Sequence, residues 1–99
     1  MAEFLDVDPA TLRLPSSRQH GADPAKLARQ ISQFGASAAG MPPLEVVRAA
    51  NGELVIMNGV TRATRVAKLL PGVTIRVEVT NDCPNWDVRA YSLIKDKLP

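Results

Sequence analysis

The sequence predicts a small α+β domain, and three stretches carry that prediction. Residues 23–35 have a helical start, a helical period and a stop: Asp23 is a favoured N-cap, Pro24 suits the first helical position, and Gly35 ends the run. Residues 44–48 and 53–57 are strand-like and flank Asn51-Gly52, the dipeptide best suited to a tight hairpin turn. Residues 73–79 alternate apolar and polar side chains, the period of a strand with one buried face.

In chain order, Pro9 and Pro15 bar a helix through the first segment, so residues 4–9 and 11–14 read as two short extended pieces around a turn. Ser16-Ser17-Arg18-Gln19-His20-Gly21 is a polar loop. The first helix follows, with Leu27, Ile31 and Phe34 on its apolar face and Lys26, Arg29, Gln30 and Gln33 turned outward. Small residues over 36–40 and then Met41-Pro42-Pro43 connect it to the hairpin. A second helix is expected over about 60–70, ended by Pro71-Gly72. Its inward face is Ala63, Val66, Ala67 and Leu70, while Arg62, Arg65 and Lys68 fall largely off it. The strand over 73–79 should bury Val73, Ile75, Val77 and Val79. The tail, 85–96, is expected to form a last helix or turn that returns Trp86, Tyr91 and Ile94 to the core.

Composition bounds the function classes. At 99 residues, with 45% hydrophobic and 22% charged side chains, the chain suits one packed domain, 1–99. The single cysteine, Cys83, cannot close an internal disulfide or build a cysteine-rich zinc site, and no paired-carboxylate metal motif stands out. No apolar run approaches the roughly 20 residues that cross a bilayer, so no membrane partner is expected. A formal net charge of +2 permits an anionic partner without requiring one.

The stretch with most chemical potential is Asn58-Gly59-Val60-Thr61-Arg62, where the hairpin hands over to the second helix. A helix N-terminus offers unpaired N–H groups and about half a positive charge, and a glycine lets an anion approach that backbone. Thr61 can add a hydroxyl donor. Arg62 and Arg65 stand three apart, so two guanidinium forks could share one face. The bland alternative is a plain strand-to-helix turn followed by solvated arginines.

Three stretches resemble the ParB N-terminal domain and sulfiredoxin group. They are Asp23-Pro24-Ala25-Lys26-Leu27-Ala28-Arg29-Gln30-Ile31-Ser32-Gln33-Phe34-Gly35, then Pro43-Leu44-Glu45-Val46-Val47 with Gly52-Glu53-Leu54-Val55-Ile56, and then Asn58-Gly59-Val60-Thr61-Arg62-Ala63-Thr64-Arg65-Val66-Ala67. The resemblance covers roughly residues 12–79 and leaves 80–99 as a C-terminal extension. It implies a small mixed sheet with two main helices and a phosphate turn that commonly reads Gly-Glu-Arg-Arg, Gly-Asn-His-Arg or Gly-Cys-His-Arg. On that match Gly59 and Arg62 would touch phosphate, Thr61 would stand at the His or Arg position, and Arg65 and Arg18 would support them. The implied ligand is a nucleotide or nucleic acid, with a nucleoside triphosphate and magnesium as the implied cofactor, and a bacterial cytoplasmic setting. Val60 occupies the place of the reactive cysteine of sulfiredoxins, which excludes sulfinic acid reduction there. It also occupies the place of the ParB glutamate, which removes support for ParB-like hydrolysis.

Two further function classes stay open. His20, the only histidine, has the titration range of a general acid or base and would serve a nuclease-type toxin domain of a larger secreted or delivered bacterial protein. Arg13 and Arg18 lie beside it, before the first helix, where they are either phosphate contacts or solvated loop charges. The chain would otherwise be a non-catalytic module that meets a protein partner. Trp86 and Tyr91 could stack on a base, although packing is the simpler use for them.

Overall fold

The computed structural model describes residues 2–99. Strands β1 (Glu3–Val7), β2 (Leu44–Arg48), β3 (Leu54–Asn58) and β4 (Ile75–Asp82) form one mixed sheet in the order β1-β4-β2-β3. Two helices, α1 (Pro24–Phe34) and α2 (Val60–Leu69), complete an α+β fold. β1 and β4 run antiparallel, as do β2 and β3, while β2 and β4 at the centre run parallel. A parallel pair needs a crossover, and the return strand β3 followed by α2 supplies it.

The local signals act as the residue types dictate. Asp23 Oδ1 accepts hydrogen bonds from the Ala25 and Lys26 amides at 2.8 and 3.4 Å, and Gly35 closes α1 by donating to Ile31 O at 2.8 Å. Asn51 and Gly52 both take positive φ, 62° and 75°, as the two central residues of a type I′ turn must. Across it Ala49 N–H donates to Glu53 O at 2.7 Å.

The main core lies between the sheet and α2. Leu44, Val46, Ile56, Ile75 and Val77 meet Ala63, Val66 and Ala67, and Leu12, Leu14 and Ile94 close the end of the layer. A smaller cluster on the opposite face of β2 and β3 joins Ala49, Val55 and Val88 to Trp86 and Tyr91. The two rings meet edge to face, 5.7 Å apart at 82°. The tail therefore packs as expected but divides between the two clusters, with Trp86 and Tyr91 in the smaller one and Ile94 in the main core.

Residues 80–99 are integral to this architecture. β4 runs to Asp82, and the tail closes the outer edge of β3 through an intervening strand-like residue. Arg13 N–H donates to Leu54 O and Ile56 N–H donates to Arg13 O, while Leu14 N–H reaches Ser92 O and Ile94 N–H reaches Leu12 O, all within 2.8–3.0 Å. At the far end of the sheet Arg48 links three strands by pairing with Glu3 of β1 at 2.7 Å and Asp82 of β4 at 2.6 Å.

Three expectations give way. Val73 is 40% exposed and precedes β4, because its N–H is still engaged with Leu70 O in the turn that ends α2. Phe34 is 48% exposed rather than turned into the core. Arg65, expected off the buried face of α2, is only 2% exposed. The last two are one fact, since the Arg65 guanidinium lies over the Phe34 ring, 5.4 Å from its centre.

Candidate functional site

The start of α2 opens onto a cleft of about 290 Å³. Its floor is the end of β3 and the first turn of α2, from Met57 to Thr61. Its walls are Pro15, Ser17 and Arg18 from the polar loop and Ala22, Asp23 and Lys26 from the start of α1. Two helix N-termini thus face one space. That of α1 is capped by the Asp23 carboxylate, whereas that of α2 has no side-chain cap and no acidic residue in its first turn. The amides that open α2 and their share of the helix dipole are consequently available to a ligand.

Gly59 sits at the hinge of the cleft with φ 101°, the left-handed conformation that side chains resist. A Cβ there would also run into Leu44 Cδ2 and stand 2.9 Å from Arg62 Nη2. Glycine is required by the turn and the core as well as by any anion.

Of the residues singled out from sequence, the cleft gathers Gly59, Thr61 and Arg18 and leaves out Arg62, Arg65 and His20. Arg62 folds back along the other side of the turn, where its Nη1 donates to Pro42 O at 3.2 Å, and it has no ion-pair partner among the described residues. Arg65 cannot share its face, because its Nη1 donates to Gly35 O and Ser37 O at 2.8 and 2.7 Å beneath the loop that follows α1. Burial without a carboxylate partner lowers its pKa from the ordinary arginine value. His20 is exposed and lines a different groove with Leu27, Ile31, Lys68 and Pro99. Arg13 is occupied elsewhere, pairing through Nε with Glu53 at 3.0 Å and through Nη1 with Tyr91 O at 2.8 Å.

Lys26 is the cleft residue that sequence reasoning passed over. It counts as an outward position on α1, and only the approach of the second helix end gives that position a use. The signal was its place in the first turn, three residues after the N-cap, since whatever binds at a helix start meets that turn. Arg18 and Lys26 form no ion pair among the described residues, and Asp23 is the one carboxylate lining the cleft. The Asp23 carboxyl lies below its ordinary range because the Ala25 and Lys26 amides hold its charged form. Two cations and a helix start outweigh one carboxylate already engaged with backbone donors, so the cleft favours an anion.

No protein-family model, curated protein or solved structure matches the chain.

Proposed function

We propose that this domain binds a phosphate group of a nucleotide or nucleic acid in the cleft at the start of α2, as a ParB-like phosphate-binding module. The observation that carries the reading is the uncapped N-terminus of α2 opening between Arg18 and Lys26. In this reading the amides of the first turn and the Thr61 hydroxyl hold phosphate oxygens, Arg18 and Lys26 supply charge, and Gly59 keeps the backbone accessible. Arg62, on the far side of the turn, adds positive potential and is no direct ligand. A magnesium ion brought by a triphosphate would find one carboxylate there, Asp23, and would neutralise phosphate charge. The nuclease alternative is less well supported, because the histidine it needs as acid or base faces another groove.

Isothermal titration with nucleoside triphosphates and short single strands of DNA and RNA, at low salt where phosphate contacts are strongest, tests the reading. Binding should weaken roughly two- to fivefold for each of Arg18→Ala and Lys26→Ala, the usual worth of one exposed charge at a helix start. Absence of heat with every ligand at low salt, or binding indifferent to both substitutions, overturns it.

A further inference from the structure

A second cavity, of about 190 Å³, lies on the opposite side of the α2 start from the phosphate cleft, under the loop that joins α1 to β2. Phe34, Met41 and Pro42 give it apolar walls, and Gln30, Arg62 and Arg65 give it polar ones. Among the described residues two buried side-chain polar atoms lack a hydrogen-bond partner, Arg65 Nε and Gln30 Oε1, and both belong to residues that line this cavity.

The geometry of Arg65 specifies what is missing. A guanidinium has five N–H donors, and Nη1 places both of its own on the carbonyls of Gly35 and Ser37. Nη2 has only the Met41 sulfur at 3.9 Å, a weak acceptor, and Nε has none. Nε and Nη2 form the side of the guanidinium that receives the two oxygens of a carboxylate in parallel bonds. Neither atom of that fork bonds an oxygen among the described residues, 98% of the residue is withdrawn from solvent, and no carboxylate among the described residues pairs with it. A buried guanidinium without a counter-charge is costly, and its burial is tolerable when something supplies one. Gln30 Oε1 requires the opposite partner, a donor. The amide can turn over, but one orphan donor edge and one orphan acceptor in the same small, partly apolar space define a complementary molecule.

We infer that this cavity binds a short hydroxycarboxylate, its carboxylate on the Nε–Nη2 edge of Arg65, its hydroxyl on Gln30, and its hydrocarbon part against Phe34 and Pro42. Met41 is the residue that gives way, because its thioether occupies the approach to Nη2 and unbranched methionine repacks readily. Arg62, which forms no ion pair among the described residues, adds a second positive charge to the lining. Phosphate is a poorer fit, since it carries no apolar part for the Phe34 and Pro42 walls. The site is independent of the phosphate cleft, and the two can stand or fall separately.

The test uses the intact chain and heteronuclear NMR, following the Arg65 Nε–H and Met41 methyl signals while lactate, propionate or inorganic phosphate is titrated at constant ionic strength. Lactate should move both signals saturably, and propionate, lacking the hydroxyl, should bind about fivefold more weakly, as the loss of one hydrogen bond of about 1 kcal/mol implies. Gln30→Leu should remove the difference between the two acids. Arg65→Lys, which keeps the charge and loses the fork, should weaken both by about tenfold. If that variant does not fold, the wild-type titrations and Gln30→Leu decide the question alone. Linear, unsaturated shifts with every anion overturn the inference. So do shifts confined to the Gly59 and Thr61 amides, and so does phosphate binding as tight as lactate.

Discussion

Gly59 and Leu44 occupy adjoining space so closely that a single methyl group on Gly59 would overlap the Leu44 side chain, which is fully buried. The glycine at the turn into α2 is thus fixed by the core beneath it. Gly59→Ala adds two costs, a left-handed φ of 101° for a residue with a Cβ and an overpacked contact in a dense interior. A loss of about 2–4 kcal/mol is expected, read as a shift of the urea midpoint without change of slope. A variant of unchanged stability would mean that Leu44 moves aside freely, and only then would the glycine need a ligand to explain it.

Asp23 has two effects that pull in opposite directions. Its carboxylate caps α1, and its charge opposes any anion that enters the cleft beside it. Asn caps nearly as well and carries no charge. In magnesium-free buffer Asp23→Asn should therefore leave the thermal midpoint close to wild type and tighten nucleotide binding at low salt, whereas Asp23→Ala should tighten binding while lowering the midpoint. Calorimetry and a thermal melt on the same two proteins separate the effects. Weaker binding by Asp23→Asn in the absence of magnesium would point to the carboxylate as an acceptor for a donor group of the nucleotide, and weaker binding only once magnesium is added would point to it as a partner of the metal ion.

The fold was legible where a local rule sufficed. The Asp23-Pro24 start, the Asn51-Gly52 turn and the alternation around Ile75 and Val77 each state their structure within a few residues. What could not be read was set by partners distant in sequence. Arg65 looks like a solvated helix position until the end of α1 is known to pack over it, offering two carbonyls and an aromatic face. Lys26 gains significance only when the starts of both helices meet. His20 and Arg18 stand two apart in the loop yet line different hollows, because a tight turn lies between them: Gly21 N–H bonds back to Arg18 O at 2.9 Å.

The acid limb of stability should depend on Glu3 and not on Asp87, although arginine holds both carboxyls below their ordinary values. Hydrogen bonds from Arg48 lower Glu3 from its usual 4.5, and those from Arg89 lower Asp87 from 3.8 to about 2. A carboxylate depressed on folding adds stability that is complete above its unfolded pKa and is lost as pH falls through the folded one. Arg89 is only two residues from Asp87, so that pair can form in the unfolded chain and much of its shift cancels. Arg48 is 45 positions from Glu3, and that pair exists only on folding. Thermal midpoints measured downward from neutral pH should fall below about pH 4.5 in wild type. Glu3→Gln should flatten the upper part of that fall, and Asp87→Asn should reproduce the wild-type profile. An equal effect from both would show that the unfolded chain retains neither pair.

The last prediction concerns the tail. Ile94 is 1% exposed and belongs to the main core with Leu12 and Leu14, and its N–H completes the edge pairing through Leu12 O at 2.9 Å. If residues 80–99 were an appendage to a domain finished by Val79, truncating this side chain would be nearly silent. Because it fills the end of the layer between the sheet and α2, Ile94→Ala should cost about 2–5 kcal/mol, the range for emptying a packed site. Ile94→Val should cost about 1 kcal/mol, since it keeps most of the volume. The two losses should also scale with each other, which separates packing from any effect on the short helical turn Ile94–Lys97. In native-state hydrogen exchange the Ile94 amide should exchange with the amides of Ile56 and Arg13, which belong to the same edge. Its exchange at a faster, separate rate would make the tail an independent unit and return the domain to the shorter boundary that the resemblance alone implied.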